Sequence, residues 1–204
     1  MSGNLTKLSA RSSITEFVIL KHFDVTINPP KPQIIKEILW SPPLVNWVKF
    51  NSDGASLGNP GAADCGGIYK NSNSDFIGAF AINLGVTTTL CAELIGAMVS
   101  IEIAHKKGWR YLWLETDSML VYMAFTSHKI VPLHLQNRWN NCLHLISSMH
   151  FYVSHIFREG NKCADTLANT GLSIVSHCWF SQIPANITAD LVSNKPGLPS
   201  FRVS

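Results

Sequence analysis

The chain has 204 residues, enough for one ordinary domain with flanking segments and a substantial apolar core. Its formal charge of +3 lies in the flanks, because residues 46–173 hold nine Lys/Arg against nine Asp/Glu, which excludes a strongly basic nucleic-acid footprint. Five cysteines, an odd number with no CxxC pair, argue against a zinc site or a disulfide framework and for a reducing compartment.

The opening Met1-Ser2-Gly3-Asn4-Leu5-Thr6-Lys7 lacks the apolar stretch of a signal peptide, and no run approaches the ~18 apolar residues of a membrane span. The chain therefore reads as intracellular, nuclear or cytoplasmic, not secreted and with no membrane partner. Residues 1–44 contain Asn28-Pro29-Pro30-Lys31-Pro32 and Ser41-Pro42-Pro43, which break regular structure and read as a linker or N-terminal extension. The domain is expected over 45–173, and 174–204, with Pro184, Pro196 and Pro199, as a C-terminal tail.

From Trp47 the pattern alternates up to Asp53, and a Gly/Pro turn follows at Ser56-Leu57-Gly58-Asn59-Pro60-Gly61. Two further strands are expected over Cys65–Asn71 and Asp75–Leu84, and the short connections imply an antiparallel meander. Thr87-Thr88-Thr89 offers capping hydroxyls to a helix that runs to Lys107 and stops at Gly108. Helical spacing puts Glu93, Ala97, Ser100 and Ala104 on one stripe, small except for the carboxylate and suited to lie close against a sheet.

A strand over Tyr111–Asp117, a short helix near 118–127 and a helix over about 133–149 come next. Leu135, Trp139, Leu143 and Ile146 recur on the last of these at core spacing. His150–Phe157 alternates as a strand, Glu159-Gly160-Asn161 turns, and Asn161 is expected to cap a helix to about Gly171. Three strands, a helix, a strand, two helices, a strand and a helix make a mixed sheet with helices packed on its faces.

Four carboxylates stand at element ends: Asp53 and Asp117 close strands, whereas Glu93 and Asp165 open helices. From such places side chains can converge, and hard divalent cations take oxygen ligands of this kind, so the set points to a two-metal nuclease site.

The motifs Lys49-Phe50-Asn51-Ser52-Asp53-Gly54-Ala55, Gly58-Asn59-Pro60-Gly61, Cys91-Ala92-Glu93-Leu94 and Glu115-Thr116-Asp117-Ser118 occur in this order. They are followed by the run from His155 through Arg158-Glu159-Gly160-Asn161 to Asp165 and Ala168. In this order they resemble the type 1 ribonuclease H fold, specifically the plant ribonuclease H-like domain associated with retroelement reverse transcriptases, over about 47–172. Even Trp40-Ser41-Pro42-Pro43 looks like the linker that precedes that domain.

The resemblance implies an α/β fold with a five-stranded mixed sheet and helices on both faces. It also implies cleavage of the RNA strand of RNA/DNA hybrids to 5′-phosphate and 3′-hydroxyl ends. Asp53, Glu93, Asp117 and Asp165 would bind two Mg2+ ions, with Mn2+ as the other candidate. His155, ten residues before Asp165, would assist proton transfer or product release, although it also fits as a packed strand residue.

Gly54, Ala55, Ser56 and Asn59, with Glu93, would contact the hybrid and its 2′-hydroxyls, while Ser56 and Asn59 equally suit a turn. The expected state is monomeric. A non-catalytic nucleic-acid-binding or interaction domain, descended from a decayed retroelement, is the alternative.

Four departures from the family pattern carry expectations of their own. Leu90 replaces an asparagine that touches the hybrid backbone, and Asp64 replaces a glycine at a turn, where positive φ would strain it. Lys70-Asn71 replaces an Arg-Asp pair, and Gly96 sits inside a helix at a cost of about 1 kcal/mol relative to alanine.

Overall fold

The structure, a computed structural model, describes residues 18–19, 21–23, 33–127, 130–193 and 198–203. The Asn28–Lys31 stretch of the expected linker and Pro196 of the expected tail lie outside the described residues. The chain divides into two units, 1–36 with 203–204, and 37–202. The first has few described residues, among them His22 and Phe23, whose rings meet edge to face; the fold and site below belong to the second.

A six-stranded sheet has the order β6-β5-β2-β3-β4-β7. Its members are β2 (Val48–Gly58), β3 (Gly61–Lys70), β4 (Phe76–Thr87), β5 (Tyr111–Thr116), β6 (His150–His155) and β7 (His177–Phe180). β2, β3, β4 and β7 pair antiparallel in succession, as a meander requires, and β5 joins β2, and β6 joins β5, in parallel. Two further strands, β1 (Ile35–Leu39) and β8 (Pro199–Val203), form a separate two-stranded sheet.

Five strands were expected in the main sheet; the sixth, β7, comes from the segment read as tail. Its four residues are too short to reveal a period, and they are fixed by pairing Ala79–Ile82 with Phe180–His177 on the free edge of β4.

The helices are α1 (Thr89–Lys106), α2 (Met119–Ser127), α3 (Gln136–Ser147, after a single 3-10 turn), α4 (Lys162–Thr170) and the short α5 (Thr188–Ser193). Successive residues of a strand face opposite sides of the sheet. On β3, Tyr69 packs in the cluster containing Leu94, Met98 and Ile101 of α1, whereas Ile68 packs with Cys163 and Leu167 of α4. α1 and α4 therefore cover opposite faces, and the sheet is buried on both. All five cysteines are free thiols. No helix among the described residues is long and apolar enough to cross a membrane.

α1 follows its sequence signals closely. Thr88 Oγ1 accepts from the Cys91 amide at 3.3 Å, and Gly108 just past the end takes φ +75°. The expected small stripe of Ala97, Ser100 and Ala104 is fully buried. Gly96 has a packing reason for its place in the helix: a Cβ there would lie 3.2 Å from Cys65 Cβ and 3.3 Å from the Asp53 carbonyl. In α3, Leu135 just before the helix and Trp139 are buried as expected of core, while Leu143 and Ile146 pack half-buried against them.

One of the departures resolves differently from expectation. Asp64 is fully buried and is not among the positive-φ residues, so it is not strained by a turn. It lies at an irregularity in the β3–β4 register, where burial pushes its pKa up to about 6 and both carboxylate oxygens lack a hydrogen-bond partner. Asn71 organises the β3–β4 hairpin, its Oδ1 accepting from the amides of Asn73 and Asp75, both at 2.9 Å.

Candidate active site

The middle of β2, the first turns of α1 and the residue just past β5 meet at one point; β2 runs on to Gly58, so Asp53 stands inside the strand and, contrary to expectation, does not close it. Carboxylate oxygens of Asp53, Glu93 and Asp117 lie within 4.8 Å of one another, the group of this kind found among the described residues. Gly54 makes this approach achievable, because a Cβ on it would stand 2.3 Å from the Glu93 amide nitrogen and 2.4 Å from the Ala92 carbonyl carbon. Only a residue without a side chain lets α1 press so near to β2.

Three acids so close and so poorly solvated resist ionisation. Burial, then the charges of Asp117 and Asp165, push Asp53 up to about 7. Burial and the charges of Asp53 and Asp117 raise Glu93 well above the ordinary carboxylate range, and its Oε2 is buried with no hydrogen-bond partner. Burial also raises Asp117, opposed by a hydrogen bond from Asn161. An orphaned carboxylate oxygen among converging acids is the donor set of a hard divalent cation, so these residues fit one.

Asp165, on the first turns of α4, does not join the three. Its Oδ1 is held in an ion pair by the exposed guanidinium of Arg158. His155, at the end of β6, is half-buried, and its Nε2–H donates to the Asp117 carbonyl at 3.1 Å. Ser56 Oγ donates to the Thr87 carbonyl at 2.9 Å, and Asn59 Oδ1 accepts from the Thr89 amide at 3.2 Å. Both side chains thus serve the loop that leads into α1, and Ala55 beside them is half-buried.

Beneath the acids runs a buried polar network of residues to which the sequence reading assigned no role at the site. Asn161, expected as a helix cap, makes no side-chain cap; its Nδ2 donates instead to the Ser52 carbonyl and to Asp117 Oδ1, both at 2.9 Å. Its Oδ1 accepts from Asn51 Nδ2 at 3.3 Å, and the same amide donates to Glu115 Oε2 at 2.9 Å.

Glu115 Oε2 also pairs with Lys49 Nζ at 2.9 Å, and Oε1 accepts from Ser154 Oγ at 3.2 Å. The available signal was a charged residue within each of two strands that are buried in a parallel pair, Lys49 near the start of β2 and Glu115 near the end of β5.

Burial lowers the Lys49 pKa while Glu115 opposes the shift, and the ammonium lies 3.8 Å from the Trp113 ring centroid. Removing one partner of such a pair strands the other charge. Glu115→Leu is therefore expected to lose about 3–5 kcal/mol in urea unfolding. Most of the loss should return when Lys49→Met is added; a loss below 1 kcal/mol in the single variant would contradict the pairing.

Residues 51–171 match the reverse transcriptase-like family, and the chain belongs to it. Its fold is that of ribonuclease H structures. A protein of Arabidopsis thaliana named "putative ribonuclease H protein" is 33% identical over 153 residues, 74% of this chain and 24% of that one, so the chain spans about a quarter of this curated relative.

Among solved structures, ribonuclease H1 of the halophilic archaeon Halobacterium salinarum is 27% identical with a TM-score of 0.57, covering 62% of this chain and 98% of the other. The N-terminal RNase H domain of a Mycobacterium tuberculosis protein is 25% identical with a TM-score of 0.58, covering 62% and 94%.

Proposed function

We propose that the protein is a metal-dependent endoribonuclease that cuts the RNA strand of RNA/DNA hybrids, leaving 5′-phosphate and 3′-hydroxyl ends. The observation that carries this reading is the convergence of Asp53, Glu93 and Asp117 within 4.8 Å, with Glu93 Oε2 unpartnered. Asp53, Glu93 and Asp117, with Asp165 once freed from Arg158, would hold two Mg2+ ions, which would supply an activated water and charge stabilisation for the leaving 3′ oxygen.

The chain's own groups prepare that chemistry. Asn161 fixes the Asp117 carboxylate, and Arg158 balances the charge of Asp165. With Nε2–H committed to the Asp117 carbonyl, His155 keeps Nδ1 for accepting or giving a proton at the cleft. Backbone groups of Gly54 and Ala55, with Glu93, read the ribose 2′-hydroxyl across a shallow minor groove. Ser56 and Asn59 contribute by shaping the loop.

The test is incubation with a labelled RNA/DNA hybrid, duplex DNA and single-stranded RNA, with Mg2+ or with chelator. Cleavage of the hybrid's RNA alone, abolished by chelator, is expected. Binding of the hybrid by folded protein without cleavage would replace this reading with that of a binding domain.

A further inference from the structure

We infer that Trp40, eleven residues ahead of the family-matched region, is a positioning residue for the acid site, an inference that rests on the metal-dependent reading above. Trp40 is 3% exposed, and its Nε1–H donates to Asn51 Oδ1 at 2.9 Å. An asparagine amide can turn over and exchange its oxygen and nitrogen, and this bond, acting with the one from Nδ2 to Glu115 Oε2, holds Asn51 in one orientation.

With Oδ1 held by the indole, Asn51 must present Nδ2 to Asn161 Oδ1, which in turn leaves Asn161 Nδ2 for the Ser52 carbonyl and Asp117 Oδ1. Three side chains thus set the orientation of one carboxylate of the site, each bond fixing the next.

The indole is itself held by two lysines. Lys49 Nζ lies 4.7 Å and Lys70 Nζ 4.3 Å from its ring centroid, and Lys49 also donates to the Ser41 carbonyl at 2.8 Å. This explains the lysine at position 70, which is buried against Trp40 and not turned out at the hairpin. Ile38 adds support from the same segment: it clusters with Trp40 and Ile156, and its Cγ2 would stand 3.1 Å from a Cβ on Gly160, in the turn that carries Arg158 and Asn161.

Trp40→Phe keeps an aromatic face for the two lysines and deletes only the donor. We would measure Mn2+ binding to the full chain by calorimetry, without nucleic acid, for the parent, Trp40→Phe, Asn161→Ala and the double variant, alongside their melting temperatures.

Trp40→Phe is expected to weaken Mn2+ binding about tenfold, and the double variant to bind no more weakly than Asn161→Ala alone, because Trp40 acts through Asn161. Unchanged Mn2+ affinity in Trp40→Phe, or losses that multiply in the double variant, would overturn the inference. Should Trp40→Phe not fold, Asn51→Ala takes its place in the same cycle with the same expectation. A parent that takes up no Mn2+ overturns the metal reading and this inference with it; a parent that binds metal and cleaves hybrid while Trp40→Phe matches it overturns the inference alone.

Discussion

Replacing Asp53 by asparagine is expected to abolish Mg2+-dependent cleavage and, in metal-free buffer at pH 8, to make the protein more stable. Both effects have one cause. Asp53 is buried beside two acids, and its pKa is pushed from an ordinary 3.8 up to about 7. A carboxyl whose folded pKa is raised contributes its full stability below the unfolded value and loses it as pH rises through the folded one.

Metal-free parent should therefore weaken steadily between about pH 4 and 7, by on the order of 4 kcal/mol from this group at 1.36 kcal/mol per pKa unit. Glu93 and Asp117, raised for the same reason, act in the same direction. Asparagine cannot ionise, so the variant's stability should fall less over that interval.

The same change deletes an oxygen ligand, and at several kcal/mol of lost charge stabilisation the rate should fall by about 10³ or more. Saturating Mg2+ should raise the melting temperature of the parent and not of the variant. Urea unfolding at pH 5 and pH 8, each with Mg2+ and with chelator, separates the two effects. A variant less stable than the parent at pH 8 without metal would refute the electrostatic account, whatever its activity.

Much of this arrangement was legible in the sequence. The meander and α1 rest on local signals: alternation, a capping threonine at Thr88 and a positive-φ glycine at Gly108. These survive folding because the tertiary structure asks of each segment what it already prefers. Asn161 stands at the N-cap position as expected, but its side chain does not cap, for the opposite reason. A polar residue before a helix reads as a cap, yet its amide is drawn to a carbonyl 109 residues away and a carboxylate 44 residues away.

Lys49 and Glu115 are unremarkable as single letters in alternating strands. They become a pair only once β2 and β5 lie side by side, with Asn51 opposite Glu115 in the register. β7 is defined wholly by the edge it completes, and the Arg158 pairing with Asp165 is a choice between an ion pair and the acid cluster that no spacing reveals. Each element the sequence concealed is held by long-range polar or edge contacts, and those contacts gather around the site.

Gly54→Ala is expected to damage the site without touching a single acid. Its Cβ would sit 2.3 Å from the Glu93 amide nitrogen and 2.4 Å from the Ala92 carbonyl carbon, both backbone atoms of α1 that cannot rotate aside. One of two elements must move, and each is anchored. β2 is hydrogen-bonded on both sides, to β3 and to β5. α1 presses Ala97, Ser100 and Ala104 into the core along its length.

Overpacking of this kind costs about 1–3 kcal/mol. A shift of about 1 Å that carries Glu93 away from Asp53 would reduce turnover by about 10²-fold even where the fold survives. The variant should consequently keep its far-UV circular dichroism, melt at a lower temperature, bind Mn2+ more weakly and cleave hybrid slowly. Full activity in Gly54→Ala would mean that the carboxylates do not need α1 at its present distance from β2, and that their convergence is set by the network under Asp117 alone.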